Sequence, residues 1–351
     1  MLVQAEPLTE AISKIFVSAG CGREEAVCIA ANLVESNLAG HDSHGVIRTK
    51  QYISYVEAGT VQLGQAIDVA YETDAISVVD GKMGFGQPVG VQAMELLASK
   101  TKKLGLAMVS IRGASHIGRI GAWAEQLAAH GLVSLHFVNT TGLGMLAMPF
   151  GGTDRRLSLC VFAAGVPMED GNHVILDFAT TGTAEGKLRV ARNKGVPVPE
   201  GQIVDKDGNP STDANDFYNG GAILPLAGHK GHGLTMLVDI LAGALSGGGC
   251  TDPGVTSLEN TMTSIAIDPA PMTDREVYVA EVIRYCEWVT GSPPKDPDGK
   301  VRLPGDVERE TRAERRANGI SIDDETWQQI VETAESVGLS KSDFESTARV
   351  T

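Results

Sequence analysis

The 351-residue sequence predicts an α+β fold, helical at both ends and strand-rich in the middle. Two patterns and the length support this. Apolar residues recur at helical spacing up to about residue 58 and again, on long polar segments, after 274. Between about 66 and 267, short apolar runs of strand length are separated by Gly- and Asp-containing turns. A chain of this length is expected to form two domains. The helical ends, 1–75 with 270–351, make one, and the sheet-containing middle, 76–269, makes the other.

The first helix is expected over 8–19, where Leu8, Ala11, Ile12, Ile15 and Phe16 share a face and Gly20 ends it. A second runs from about Glu24 to Ala39, stopped by Gly40. The polar cluster His41-Asp42-Ser43-His44-Gly45-Val46-Ile47-Arg48 follows, then a helix from Arg48 to Ala58 with Tyr52 one turn beyond Arg48. Ile67, Val69 and Tyr71 alternate, and with the run at 76–79 they predict a hairpin turning at 72–74. A helix is expected from Pro88 to Leu104 and a strand from Leu106 to Ile111. Arg112 to His116 reads as a loop. Ser115 is then an N-cap candidate for a helix over 117–130, whose dipole would help keep His116 neutral. Strands are expected at 132–138, 157–163, 174–178 and 264–267, a helix over 180–192, and a long loop over 195–221 turning at Asp207-Gly208. Leu234 to Leu245 is apolar nearly all round, which predicts a buried helix. Glu308 to Arg316 alternates acid and base, as a solvated helix face does.

Composition narrows the function. A net charge of -15 argues against nucleic acid and anionic membrane as partners. An anionic substrate then needs a local positive pocket. Five cysteines without a CxxC pair read as reduced thiols of a cytoplasmic protein. No signal peptide is expected at MLVQAEPLTE, and the 234–245 run is too short to span a bilayer.

The chemistry concentrates in the 41–48 cluster. An imidazole moves protons near neutral pH, and a guanidinium presents a planar fork to a carboxylate. Gly142-Leu143-Gly144-Met145-Leu146-Ala147 matches a dinucleotide fingerprint after a strand, but Pro149, Gly151 and Gly152 stand where its helix should run. The pairs His41/His44 and His229/His232 have His-x-x-His spacing, which leaves a metal-dependent hydrolase or lyase as a reading of another class. Neither is HExxH and no local ligand set completes them, so no metal is expected. Ser43 and Ser115 lack the G-x-S-x-G elbow of a serine hydrolase. His130, His136 and His173 read as structural or exposed.

Six stretches occur in order: His41 to Val46, Ser115 to Gly118, Pro149 to Gly152, Asp177 to Thr181, Leu224 to Gly231 and Leu303 to Gly305. Together they resemble the type-2 malate/L-lactate dehydrogenase family over roughly residues 5–340. That family includes ureidoglycolate and sulfolactate dehydrogenases, diketogulonate reductase and cyclic-imine carboxylate reductases. The resemblance implies a non-Rossmann nicotinamide-binding domain with a mixed, largely antiparallel sheet at 76–269. It also implies a helical domain from both ends and a homodimer with the active site near the subunit interface. Carried over position by position, His44 matches the proton donor and His116 an acid/base histidine. Ser43 and Arg48 match the substrate-holding pair, joined by Tyr52. Asp177, Phe178, Ala179, Thr180, Thr181, Gly182 and Thr183 match one cofactor loop, Lys230-Gly231 a second, and Pro304-Gly305-Asp306 a third. The chain departs from many relatives at Asp306 (Glu there), at His232 (Tyr there) and at Gly121-Ala122-Trp123 (an aromatic pair there).

The expected activity is hydride transfer between NAD or NADP and a small 2-hydroxy or 2-oxo acid. His44 serves as proton donor and acceptor, and Arg48 holds the carboxylate. Reduction of a cyclic imine carboxylate is the alternative on the same scaffold.

Overall fold

The computed structural model describes residues 1–349. Among them are twelve α-helices and three β-sheets, a mixed α/β architecture. The largest sheet has seven strands in the spatial order Asp68–Glu72, Ile76–Gly84, Leu106–Ala114, Leu258–Ile267, Val133–Gly142, Val161–Val166, Val174–Ala179. Only Ile76–Gly84 and Leu106–Ala114 run parallel. They are joined by the helix Gly86–Leu104, the crossover that a parallel pair requires. All other neighbours pair antiparallel.

Two large apolar clusters lie apart. One gathers Leu8, Ile12, Ile15 and Phe16 with Ile29, Leu33, Tyr52 and Phe85, and adds Trp327, Ile330 and Phe344 from the far end of the chain. The other places Val89, Met94 and Leu97 of the crossover helix on Val109, Ile111, Val138 and Met262 of the sheet. The ends are also stitched by backbone, since Leu2–Val3 pairs with Ile320–Ser321. Local chemistry sets several helix starts: Asp274 accepts from the N–H groups of Glu276 and Val277, and Asp323 from that of Thr326.

Several expectations are corrected. The strand from Leu106 continues to Ala114, and the next helix begins only at Gly121. Ser115 therefore caps nothing; its N–H donates to Gly84 C=O. The helix expected from Thr180 begins at Glu185, because Thr180–Thr183 is bound into side-chain and backbone contacts first. The 195–221 region is not one loop. Ile203–Val204, Pro210–Ser211 and Ala222–Ile223 join Met145–Ala147 and Leu157–Ser158 in a five-stranded sheet, too short in each strand to leave a periodic signal. The Gly142–Ala147 stretch turns into that strand, not into a helix.

The apolar 234–245 segment is not buried all round. The helix His229–Asp239 passes into a π-turn at Ile240–Ala244, and Met236, Leu237, Ile240 and Leu245 are exposed. The Glu308–Arg316 face is not simply solvated. It belongs to the helix Asp306–Asn318, and its charges are spent on other elements: Arg312 pairs with Glu35 and Glu125, and Arg315 with Asp42. No helix among the described residues is long and apolar enough to cross a membrane.

Candidate active site

The 41–48 segment folds as two short 3₁₀ turns, Asp42–His44 and Val46–Arg48, between the helices Arg23–Leu38 and Thr49–Glu57. Asn37, buried at the end of the first helix, clamps this segment from both sides. Its Nδ2 donates to Asp42 Oδ1 at 2.6 Å, and its Oδ1 accepts from Val46 N–H at 2.8 Å. Gly45 is required between them, since a Cβ there would stand 2.2 Å from Asn37 Oδ1. From outside, Arg315 forks onto Asp42 (2.6 and 3.1 Å) and Glu308 meets His41 Nε2 at 3.1 Å.

The clamp presents Ser43, His44 and Arg48 toward one place. Ser43 Oγ lies 3.2 Å from His44 Nδ1. Arg48 donates Nε–H to Ser43 C=O and Nη1–H to Gln51 Oε1, both at 2.7 Å. Its Nη2 makes no hydrogen bond among the described residues. Tyr52, one turn on, is buried with its hydroxyl 2.6 Å from His116 Nδ1. The rings of His44 and His116 are stacked, 5.6 Å between centroids and 17° between planes. All five expected residues of this group thus meet.

Both imidazoles are pushed toward neutrality. Burial brings His44 down to about 3, helped by the positive charges of Arg48, His41 and Arg119. Burial also drives His116 well below its usual value, with Arg48 and His44 adding to it. The helix dipole expected to do this is not the cause, because His116 lies five residues before its helix. Tyr52 is held protonated by burial, which raises its phenol strongly.

The expected cofactor loops converge on the strand Val174–Ala179. Asp177 accepts Gly121 N–H at 2.7 Å; burial raises its carboxyl pKa, against the pull of that N–H and of Arg119. Phe178 packs on Phe162, 5.9 Å between centroids. Ala179 pairs with Val161 in the sheet. Thr180 and Thr181 are buried, and Thr181 donates to Thr183 C=O at 2.9 Å. Gly182 N–H donates to Leu224 C=O at 2.8 Å. Thr235 Oγ1 donates to Thr180 Oγ1, joining this loop to the helix that begins His229-Lys230-Gly231. Gly231 lies so close to Leu226 C=O that a Cβ would stand 2.0 Å away. Lys230 is exposed and has no ion-pair partner among the described residues. Pro304 C=O accepts Ile175 N–H, Gly305 has φ +95°, and Asp306 turns back onto Leu303 N–H and Arg309. The Thr180–Thr183 loop also reaches the 41–48 segment. It leads into the helix Glu185–Lys194, whose Gly186 would place a Cβ 3.2 Å from Ser43.

The departures at 121–123 have a packing explanation. Trp123 fills the core against Gly90, where a Cβ would stand 2.6 Å from the indole. Gly121 leaves room for Arg119 Nη1 and Asp177 Oδ2. His232 buries an Nδ1 without a partner. The two His-x-x-His pairs do not pool their rings: His41 faces Glu308 and His229 faces Phe150. Among the described residues no three His, Cys, Asp or Glu side chains gather as a metal site.

Sequence reasoning missed Asn37, Gln51, Gln87 and Arg119. Arg119 stands out most: its side chain is buried, Nη2 donates to Glu125 Oε2 at 2.5 Å, and Nε and Nη1 have no partner among the described residues. A charged residue inside the apolar run Ile117-Gly118-Arg119-Ile120 was the available signal.

Comparisons with known proteins show the family of the chain. The family model described as malate/L-lactate dehydrogenase matches residues 3–331. Hydroxycarboxylate dehydrogenase B of Escherichia coli (strain K12) is 38% identical over 342 residues, 95% of this chain and 94% of that protein. Among solved structures, sulfolactate dehydrogenase from Methanocaldococcus jannaschii superposes with a TM-score of 0.87 at 30% identity, covering 98% of this chain and 99% of that one. Δ1-piperideine-2-carboxylate reductase from Pseudomonas syringae superposes at 0.83 and 30% identity, covering 95% and 100%.

Proposed function

The chain belongs to the malate/L-lactate dehydrogenase family and is an oxidoreductase acting on CH–OH groups, and from that premise we propose that it interconverts a small 2-hydroxy acid and its 2-oxo acid with NAD or NADP. The observation that carries the reading is the stacked pair His44/His116 with Arg48 beside it, an unspent guanidinium nitrogen next to two neutral imidazoles.

The residues present fit a nicotinamide dinucleotide. Lys230, exposed and without an ion-pair partner among the described residues, stands in the first turn of the helix that Thr235 ties to the Thr180 loop, so one cation and a helix N-terminus are available to a dianionic pyrophosphate. Asp177 to Thr183, Lys230-Gly231 and Pro304-Gly305-Asp306 would hold it. When bound, it supplies the hydride for reduction or accepts it in oxidation.

Arg48 pairs with the substrate carboxylate and fixes its angle, since Ser43 C=O and Gln51 already orient the guanidinium. In oxidation, neutral His44 takes the hydroxyl proton as the carbonyl forms. In reduction it returns a proton to the oxygen on which negative charge builds. The carboxylate also offsets the Arg48 charge that helps depress His44, so substrate binding favours the protonated ring that reduction needs. His116, backed by Tyr52, completes the acid/base pair.

Reduction of a cyclic imine carboxylate is the second reading. It is favoured by the likeness to the piperideine carboxylate reductase, and places the same proton on nitrogen. The deciding experiment follows nicotinamide absorbance for purified protein with NADH or NADPH against a panel of 2-oxo acids and cyclic imine carboxylates. Turnover of a 2-oxo acid is expected; turnover of imines alone selects the second reading, and turnover of neither overturns both.

Three further proposals accompany this one. The two apolar clusters are the cores of two domains, 1–75 with 270–351 and 76–269, with Phe85 of the second packed into the core of the first and the strand Asp68–Glu72 of the first paired into the sheet of the second. The chain works as a homodimer in the cytoplasm. The exposed row Met236, Leu237, Ile240 and Leu245 supports a second copy, as do Tyr285 and Trp288 on the helix Arg275–Thr290. The five unpaired cysteines are consistent with a reducing compartment.

A further inference from the structure

Gln87 is the second residue of the crossover helix and is wholly buried. Its first turn lies against the backbone of His116, where a Cβ on Gly86 would stand 2.5 Å from His116 C=O. Gln87 donates Nε2–H to Tyr52 Oη at 2.8 Å. A phenol hydroxyl has one hydrogen. With Gln87 on a lone pair of that oxygen, the hydrogen is left for the other close atom, His116 Nδ1 at 2.6 Å. Nδ1 is then an acceptor, and a neutral ring carries its proton on Nε2.

We propose that Gln87 is a positioning residue: acting through Tyr52, it fixes His116 in the Nε2–H tautomer and leaves that N–H, unbonded among the described residues, as the ring's free donor. The orientation of the Gln87 amide and the tautomer of His116 are one choice. Turned over, the amide would accept from Tyr52, the phenol would need an N–H from Nδ1, and His116 Nε2 would carry a lone pair instead of a proton. Gly118 leaves room on this side of the amide: a Cβ there would stand 2.8 Å from Asn32 Oδ1 and 3.5 Å from Gln87 Nε2. The remaining cost is Gln87 Oε1, buried and unpaired. The depressed His116 and raised Tyr52 fit a neutral ring and a protonated phenol. The importance of this order for turnover rests on the proposed role of His116; the tautomer itself does not.

The test is ¹⁵N NMR of histidine-labelled full-length protein without substrate, with the His116 signals assigned by their loss in His116→Gln. The parent should show a pyridine-like Nδ1 and a pyrrole-like Nε2. Gln87→Glu, whose carboxylate can only accept, should invert that pattern. Gln87→Met, close in volume and unable to bond, should give a mixture and lower kcat about tenfold with KM for the 2-oxo acid within about twofold. A parent protein with the proton on Nδ1 overturns the proposal. So does Gln87→Met with the parent tautomer, or with a mixed tautomer and unchanged kcat. Absence of dehydrogenase turnover would instead sink the functional reading and leave the NMR result standing.

Discussion

Two places in the molecule bury histidine and keep it neutral, and they differ in one respect. His136, in the centre of the seven-stranded sheet, is fully enclosed and brought down to about 3 by burial alone. Both its nitrogens are bonded, Nδ1 to Ser264 Oγ at 2.8 Å and Nε2 to Ser134 Oγ at 3.0 Å. His44 is brought down as far, yet among the described residues its ring bonds the neighbouring Ser43 alone, and the His116 ring bonds through Nδ1 alone. A depressed pKa therefore does not by itself separate the proposed reactive imidazoles from a structural one. Valence left open beside a cation does.

That contrast can be broken by substitution. His44→Ala should cut kcat by roughly 10²–10⁴-fold, the size of an acid/base contribution, while His136→Gln should leave kcat within about threefold. Absorbance assays on both variants decide it; equal losses would erase the distinction. The pH profile sharpens it next. With His44 neutral in free enzyme down to about 3, kcat/KM for reduction should fall about tenfold per unit from pH 6 to 8, while oxidation stays flat. A pH-independent reduction would show that the proton comes from another group. Arg48→Ala should lower kcat/KM for carboxylate substrates by about 10- to 100-fold, the value of a charge-assisted pair. An unchanged value for every acid would remove the clamp.

The smallest effect concerns stability. The unfolded chain protonates His136 near 6.5, whereas the folded one resists down to about 3. Stability from this site is complete above 6.5 and is lost as pH falls toward 3, at up to about 1.4 kcal/mol per pH unit. His136→Gln should flatten the slope of denaturation midpoint against pH in that window. An identical slope would assign the acid sensitivity elsewhere.

Much of the site could be read from residue order because it is local. Ser43, His44, Arg48 and Tyr52 lie within ten residues, and helical spacing puts the last two on one face. What escaped depends on distant partners. Gln87 and Asn37 look like ordinary polar positions in helices until Tyr52 and Asp42 are placed against them. The acid–base alternation of 308–316 has the pattern of a solvated face, and only contact with Glu35, Glu125 and Asp42 reveals its use. The 203–223 strands, two residues each, are too short for a period of two to show.

The segment bearing His44 is gripped by Glu308 and Arg315, 267 and 273 residues downstream of the residues they hold. A nascent chain on the ribosome therefore carries its histidines for most of synthesis without the geometry that makes them useful. A chain cut short before the helix Asp306–Asn318 would lack both of these holds on the 41–48 segment, so that helix ties the geometry of His44 to the synthesis of a distant part of the chain.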